Sequence, residues 1–113
     1  MKYKVRLTDE AKQNVRAIVA WYAERSQVAA DRWYNGFVEL LDSLAEDPHR
    51  HPLALENPRF PIELRQLNYG SGRRITHRII FAIRQTIVVV YSVRHAAQDE
   101  WRPEHPANPQ FQE

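Results

Sequence analysis

The chain has 113 residues, with 16 basic against 14 acidic side chains for a formal charge of +2; this length suits one compact domain, and the total charge selects no class of partner. Cysteine is absent, which excludes disulfides, thiolate metal sites and cysteine nucleophiles. Hydrophobic residues at 43% and charged residues at 27% are ordinary globular composition, and neither a run of about 18 apolar residues nor a charged-then-apolar leader occurs, so a cytoplasmic protein without a membrane span is expected.

Tyr3 to Leu7 reads as a short strand, with Tyr3, Val5 and Leu7 on one face and Lys4 and Arg6 on the other. Thr8 is placed to cap a helix whose first turn carries Asp9 and Glu10, where the helix dipole favours negative charge. Ala11, Val15, Ile18, Val19 and Tyr22 then recur at helical spacing until Glu24 to Ser26. Ser26 caps a second helix marked by Ala29, Ala30, Trp33, Phe37, Leu40, Leu41 and Leu44. Two amphipathic helices joined this closely form an antiparallel hairpin of about 35 to 40 residues, and its apolar face needs a partner layer.

Pro48, Pro52, Pro58 and Pro61 make Asp47 to Pro61 a loop, since proline at this density suits neither helix nor central strand. Three strands follow: Ile62 to Tyr69, a Gly70-Ser71-Gly72 turn, Arg73 to Arg84, a tight turn at Gln85, and Thr86 to Arg94. Ile87 to Tyr91 is unbroken in apolar and β-branched residues and reads as a central strand. The three strands form an antiparallel meander, and the opening strand is expected to pair with its interior side. The resulting fold class is α+β, in the order βααβββ, with a helical hairpin packed on one face of a small, mainly antiparallel sheet. Residues 1–98 form the expected domain, and the Pro-rich tail 99–113, with Pro103, Pro106 and Pro109, is expected to fray or to await a partner.

Charge is more informative by region. Met1 to Asn57 holds 8 cations and 9 anions, Pro58 to His95 holds 7 arginines against Glu63 alone, and Ala96 to Glu113 holds 1 cation and 4 anions. The central block, net +6, would present a positive field to a polyanion or an acidic protein segment, and arginine suits phosphate and carboxylate better than lysine does. Arg65, Arg73, Arg74, Arg78 and Arg94 are the candidate partner-binding or phosphate-binding residues. Several could equally be solvated strand residues that keep a sheet edge soluble.

His49 and His51 in Pro48-His49-Arg50-His51-Pro52 have no cysteine or nearby acidic ligand to complete a metal set, so no metal and no cofactor are expected. Gly70 and Gly72 lie between strands with no helix behind them, which excludes a phosphate loop. His95 ends the last strand beside Arg94. Grouped with Arg65, Arg78 and Arg94 from neighbouring strands, it could supply the proton donor or acceptor, and they the cations, that RNA phosphodiester cleavage requires. Two other readings stay open: His95 may only satisfy strand-end groups, and Arg78 and Arg94 may anchor an acidic partner or pair with Glu63.

The stretch Arg73-Arg74-Ile75-Thr76-His77-Arg78-Ile79-Ile80-Phe81-Ala82-Ile83, the run Ile87 to Tyr91 and the segment Val93-Arg94-His95-Ala96-Ala97-Gln98-Asp99 resemble the RelE/ParE superfamily of bacterial toxins, and more closely its ParE-type, or plasmid stabilisation, branch. The likeness extends from Leu7-Thr8-Asp9-Glu10-Ala11 through Ala29-Ala30 and Leu64-Arg65-Gln66-Leu67 to Asp99. It implies the same hairpin-on-sheet fold, a cognate antitoxin as partner, and one of two activities. ParE-like members inhibit DNA gyrase; RelE-like members cut mRNA in the ribosomal A site with basic sheet residues and a His or Tyr near the C-terminus. On the ribonuclease reading Arg78, Arg65 and His95 would be catalytic, but Ala96 stands where that pattern continues with Tyr, and the lysine-rich strand face is missing. The resemblance therefore implies a ParE-like growth inhibitor acting on gyrase, with the ribosome-dependent endoribonuclease as the alternative and a non-toxic antitoxin-binding module as a third. Direct DNA binding without the antitoxin is not expected, because the helices are nearly neutral and no recognition-helix signature is present.

Overall fold

The computed structural model describes residues 2–71, 74–98 and 100–102. In chain order it contains strand β1 (Lys4–Leu7), helices α1 (Asp9–Ala23) and α2 (Gln27–Glu46), single 3-10 turns at Pro48–Arg50 and Asn57–Arg59, and strands β2 (Arg65–Ser71), β3 (Arg74–Arg84) and β4 (Ile87–His95). The expected α+β class and βααβββ order hold. Both helix caps are local: Thr8 Oγ1 accepts from the Ala11 N–H at 3.2 Å and Ser26 Oγ from the Ala29 N–H at 3.2 Å, each satisfying one of the amides that a helix start leaves without a partner.

Two boundaries differ from the sequence reading. The loop after α2 contains the two 3-10 turns, each with proline in its first positions, where a fixed φ and a missing N–H cost nothing. Strand β2 starts at Arg65 rather than Ile62, because Leu64 is held by that loop: its N–H donates to Asn57 Oδ1 at 2.8 Å and its carbonyl accepts from Ala54 N–H at 2.8 Å.

The sheet runs β1-β4-β3-β2. The meander β2-β3-β4 is antiparallel, and β1 lies parallel to β4. The opening strand therefore adds outside the meander, on the open edge of β4, and makes that apolar strand central. A parallel pairing needs a long crossover, which the helical hairpin supplies.

Two apolar clusters flank the sheet. On the helix side Leu67, Ile79, Phe81, Val88, Val90 and Val93 pack with Ala11, Val15, Trp33, Phe37 and Leu44. On the outer side Ala54, Leu64, Ile80, Ala82, Val89, Tyr91 and Trp101 form a second core. Trp101 is 1% exposed, lies parallel to Phe60 with centroids 5.3 Å apart, and donates its backbone N–H to Glu56 and its indole N–H to Glu10, each at 2.6 Å. The packed structure therefore runs past the expected boundary at residue 98 to Trp101; residues 103–113 of the expected tail lie outside the described residues.

A register shift decides which side chains share a face. Ile80 pairs with Ser92 but Phe81 with Val90, so Tyr91 is an extra residue in β4. Such a bulge reverses the alternation beyond it. Before it, Val88 and Val90 face the helices; after it, Val93 does. Asn14 of α1 stabilises the irregularity by accepting from the Val93 N–H at 3.0 Å and from Ser92 Oγ at 3.3 Å.

Candidate functional site

Two of the arginines expected to form a positive face, Arg65 and Arg78, are paired with carboxylates. Arg78 is 5% exposed on the outer side of β3, and its guanidinium donates to Glu56 Oε1 at 3.1 Å, Glu56 Oε2 at 2.9 Å and Gln66 Oε1 at 3.0 Å. Glu56 is fully buried. Burial alone would raise the pKa of its carboxyl, but the Arg78 hydrogen bonds and charge, together with the Trp101 N–H, hold it below the usual carboxylate value.

Arg65, rather than Arg78 or Arg94, pairs with Glu63, at 3.0 Å, and its Nη1 donates to the carbonyls of His51 at 2.6 Å and His49 at 3.3 Å. Arg59 pairs with Glu100. Among the described residues, Arg59, Arg65 and Arg78 of the central block thus have carboxylate partners, two of which (Glu56 and Glu100) lie outside that block in sequence. Arg94 sits opposite Arg78 in the register and is half-buried. Arg74 is exposed, and Arg73 lies outside the described residues. His49 and His51 belong to the packing of the loop: their rings meet Tyr3 at 6.0 Å and Phe81 at 5.9 Å, both edge-on.

His95 does not join these arginines. Consecutive strand residues point to opposite faces, so Arg94 and His95 cannot share one, and the bulge at Tyr91 assigns His95 to the helix side. There it pairs with His77, with ring centroids 5.5 Å apart in an edge-to-face arrangement. Both rings line a groove of about 560 Å³ between α1 and the end of the sheet, with Ile18, Trp21, Tyr22 and Thr76.

The hydrogen bonds to His77 fix its tautomer. Trp33 Nε1, a donor only, lies 3.3 Å from His77 Nδ1, and Thr76 Oγ1 lies 2.8 Å from the same nitrogen. Nδ1 of His77 is therefore the acceptor, and the ring proton sits on Nε2. Burial, reinforced by His95, pushes its pKa down to about 4, so the ring is neutral at physiological pH. His95 Nδ1 accepts from the Ala97 N–H at 3.1 Å. In both rings Nδ1 is thus engaged within the protein.

His77, Glu56, Trp101 and Trp21 are the residues that sequence reasoning did not single out. His77 alternates in phase with Ile79 and Phe81, which signals an inward position, but Glu56 and Trp101 sit in irregular segments with no periodicity to orient them. Trp21 is 51% exposed beside the groove; the Arg25 guanidinium lies over one face of its indole, 3.6 Å from the ring centroid.

A family model described as the ParE toxin of the type II toxin–antitoxin system parDE matches residues 5–100. Two solved structures are similar. A chain of the chromosomal ParDE toxin–antitoxin system from P. aeruginosa is 16% identical with a TM-score of 0.63, covering 83% of this chain and 96% of that one. A chain of the toxin–antitoxin complex RelBE2 from Mycobacterium tuberculosis is 24% identical with a TM-score of 0.56, covering 87% and 95%. At these identities the likeness concerns the fold. None of the curated proteins compared with the chain matches it.

Proposed function

This chain belongs to the ParE toxin family of type II toxin–antitoxin systems, and from that membership we propose that it arrests growth by binding DNA gyrase and is neutralised by a cognate antitoxin, without cutting mRNA. One observation carries the choice between the two activities. The constellation that RNA cleavage would require is divided by the sheet: Arg78 lies on the outer face, chelated by buried Glu56, while His95 lies on the helix face with Nδ1 engaged by Ala97.

A general acid or base must come within hydrogen-bond reach of the atom it serves, close to the groups that stabilise the developing charge. A phosphodiester held at Arg78 would have the thickness of the sheet between it and the imidazole's side of the molecule. The similar structures are drawn from toxin–antitoxin systems, which supports an antitoxin partner here, and the family match favours gyrase as the target.

Induced expression in a bacterial host, with pulse-labelled DNA and protein synthesis followed over minutes, tests the reading. DNA synthesis should fall first, and purified protein should block gyrase supercoiling. Protein synthesis falling first, with supercoiling untouched at saturating protein, would overturn it.

A further inference from the structure

The solvent face of the helical hairpin carries an apolar centre between charges of opposite sign. Arg32, Gly36 and Glu39 mark the flank of α2 that turns toward β2, where they line a groove with Tyr69. Helical spacing puts Tyr34, Val38 and Leu41 on the opposite flank, which is the α1 side. On α1, Asn14, Ala17 and Trp21 line the groove at the end of β4, so Lys12 and Val19 take the flank toward α2, with Arg16 one turn along from Lys12. Val19 and Leu41 are half-buried against the core. Tyr34 and Val38, one turn apart, stand out of it at 47% and 39% exposed.

The charges around this centre are segregated by helix. Between Ala11 and Ala23, α1 carries Lys12 and Arg16 and no acid, whereas α2 carries Asp31, Glu39, Asp42 and Glu46 against Arg32 alone. Lys12, Arg16, Asp31 and Asp42 are all exposed, and none of them forms an ion pair among the described residues. Asp31 accepts a hydrogen bond from the Gln27 amide at 2.9 Å, which leaves its charge uncompensated. A surface with cations on one side of an apolar strip and anions on the other is complementary to a second copy of itself turned over.

We infer that this face is the interface of a homodimer, in which a two-fold axis running along the hairpin sets α1 of each copy on α2 of the other. The hairpin turns between Ala23 and Gln27, so Lys12 is level with Val38 and Arg16 with Tyr34, counted equally from Arg25. The axis preserves these levels. At about 1.5 Å per residue, Lys12 of each copy then stands about 6 Å along the axis from Asp42 of the other, and Arg16 about 4.5 Å from Asp31, within reach of their long side chains. Two helices about 10 Å wide, over the 15 residues of α1, give each copy a face of roughly 450 Å². About 900 Å² in total is the size of a weak, reversible association rather than an obligate one. The dimer does not depend on the identity of the growth target, and its formation is measured without gyrase, so the two readings stand or fall independently.

The test is sedimentation equilibrium of the full chain at micromolar concentrations, which should show a reversible monomer–dimer system whose dissociation constant rises with salt. Val38→Glu, at an exposed position and with folding checked by thermal melt, should leave the chain monomeric across that range. Asp42→Lys should weaken association roughly fivefold, because symmetry counts each ion pair twice, and adding Lys12→Glu should restore it. A chain that stays monomeric at millimolar concentration would overturn the proposal and leave this face to a different protein. A dimer that persists in folded Val38→Glu, or that Asp42→Lys leaves as tight as before, would overturn it by placing the contact elsewhere.

Discussion

Replacing Glu56 with alanine should destabilise the protein more than removal of any other single charged side chain discussed above. The carboxylate is fully buried and makes three short contacts, two to Arg78 at 2.9 and 3.1 Å and one to the Trp101 N–H at 2.6 Å. Its removal leaves the Arg78 guanidinium inside the protein with Gln66 as its remaining partner among the contacts described. Breaking one half of a buried ion pair costs about 3–5 kcal/mol, most of it the uncompensated charge that remains. Per kilocalorie a domain of this size loses about 4–8 °C, so the midpoint of thermal unfolding should fall by roughly 12 °C or more.

The double variant Glu56→Leu with Arg78→Met removes both charges and should recover most of that loss, because apolar side chains of similar volume often replace a buried pair at little cost. The carboxyl is held below its usual value, so its contribution is present above about pH 4.5 and is lost as pH falls through its lower value in the folded state. The double variant should lack that acid-sensitive step. Denaturant melts of the three proteins at pH 7 and pH 4 measure all of this. A Glu56→Ala variant within about 1 kcal/mol of wild type would refute the pairing as the element that holds the outer core.

His77, neutral with a pKa of about 4 against an ordinary 6.5, binds fewer protons folded than unfolded, so acidification from pH 6.5 to 4 should cost roughly 3 kcal/mol at about 1.4 kcal/mol per unit; its imidazole shifts in a proton NMR titration should stay flat above pH 5. Trp101→Ala should cost about 3–5 kcal/mol, measured by urea unfolding, and a variant ending at residue 98 should lose at least as much. Gly36→Ala would place a methyl 2.1 Å from Tyr69 Oη, whose hydroxyl donates to the Trp33 carbonyl; despite alanine's better helix propensity it should destabilise by about 1–3 kcal/mol, and adding Tyr69→Phe should restore part of that. Gln85, at φ 57, tolerates a conformation that glycine adopts freely, so Gln85→Gly should leave the melting temperature level or raise it.

Caps, helices and strands were legible because each is specified locally: Thr8 and Ser26 precede helical periodicity, Ile79, Phe81 and Ile83 alternate, and Gln85 interrupts two apolar runs. The position of β1 outside the meander was not legible, since parallel pairing to β4 leaves no signature in Lys4 to Leu7. The partners of the charge block were not legible for a related reason. Counting along the chain assigned Arg59, Arg65 and Arg78 a single acidic neighbour, whereas folding brings in Glu56 from the 47–61 loop and Glu100 from the C-terminal segment. Such contacts join segments without periodicity, and neither spacing nor composition encodes them. For His95, one part was available from the sequence: Arg94 and His95 are adjacent in a strand and must diverge. Which of them faces the helices depends on the extra residue at Tyr91, and an unbroken run from Ile87 to Tyr91 gives no sign of a bulge.

The outer core also bears on how the two toxin activities compare in energy. For Arg78 to hold a phosphate, Glu56 must leave it, and Glu56 is itself held by Trp101, which is stacked on Phe60 and bonded to Glu10. Opening this cap exposes the indole and leaves two charges to be resolvated. A cost of about 4 kcal/mol, the middle of the range for losing a buried tryptophan side chain, limits the open form to roughly one molecule in a thousand. A substrate phosphate would have to make good that deficit before contributing anything to catalysis, and among the described residues the imidazole of His95 would still lie on the other side of the sheet. A partner protein that engages exposed surface, such as Trp21 or the apolar side chains Val28, Tyr34 and Val38 of α2, meets no comparable penalty. The folded state is therefore prepared for binding rather than for phosphodiester chemistry at Arg78.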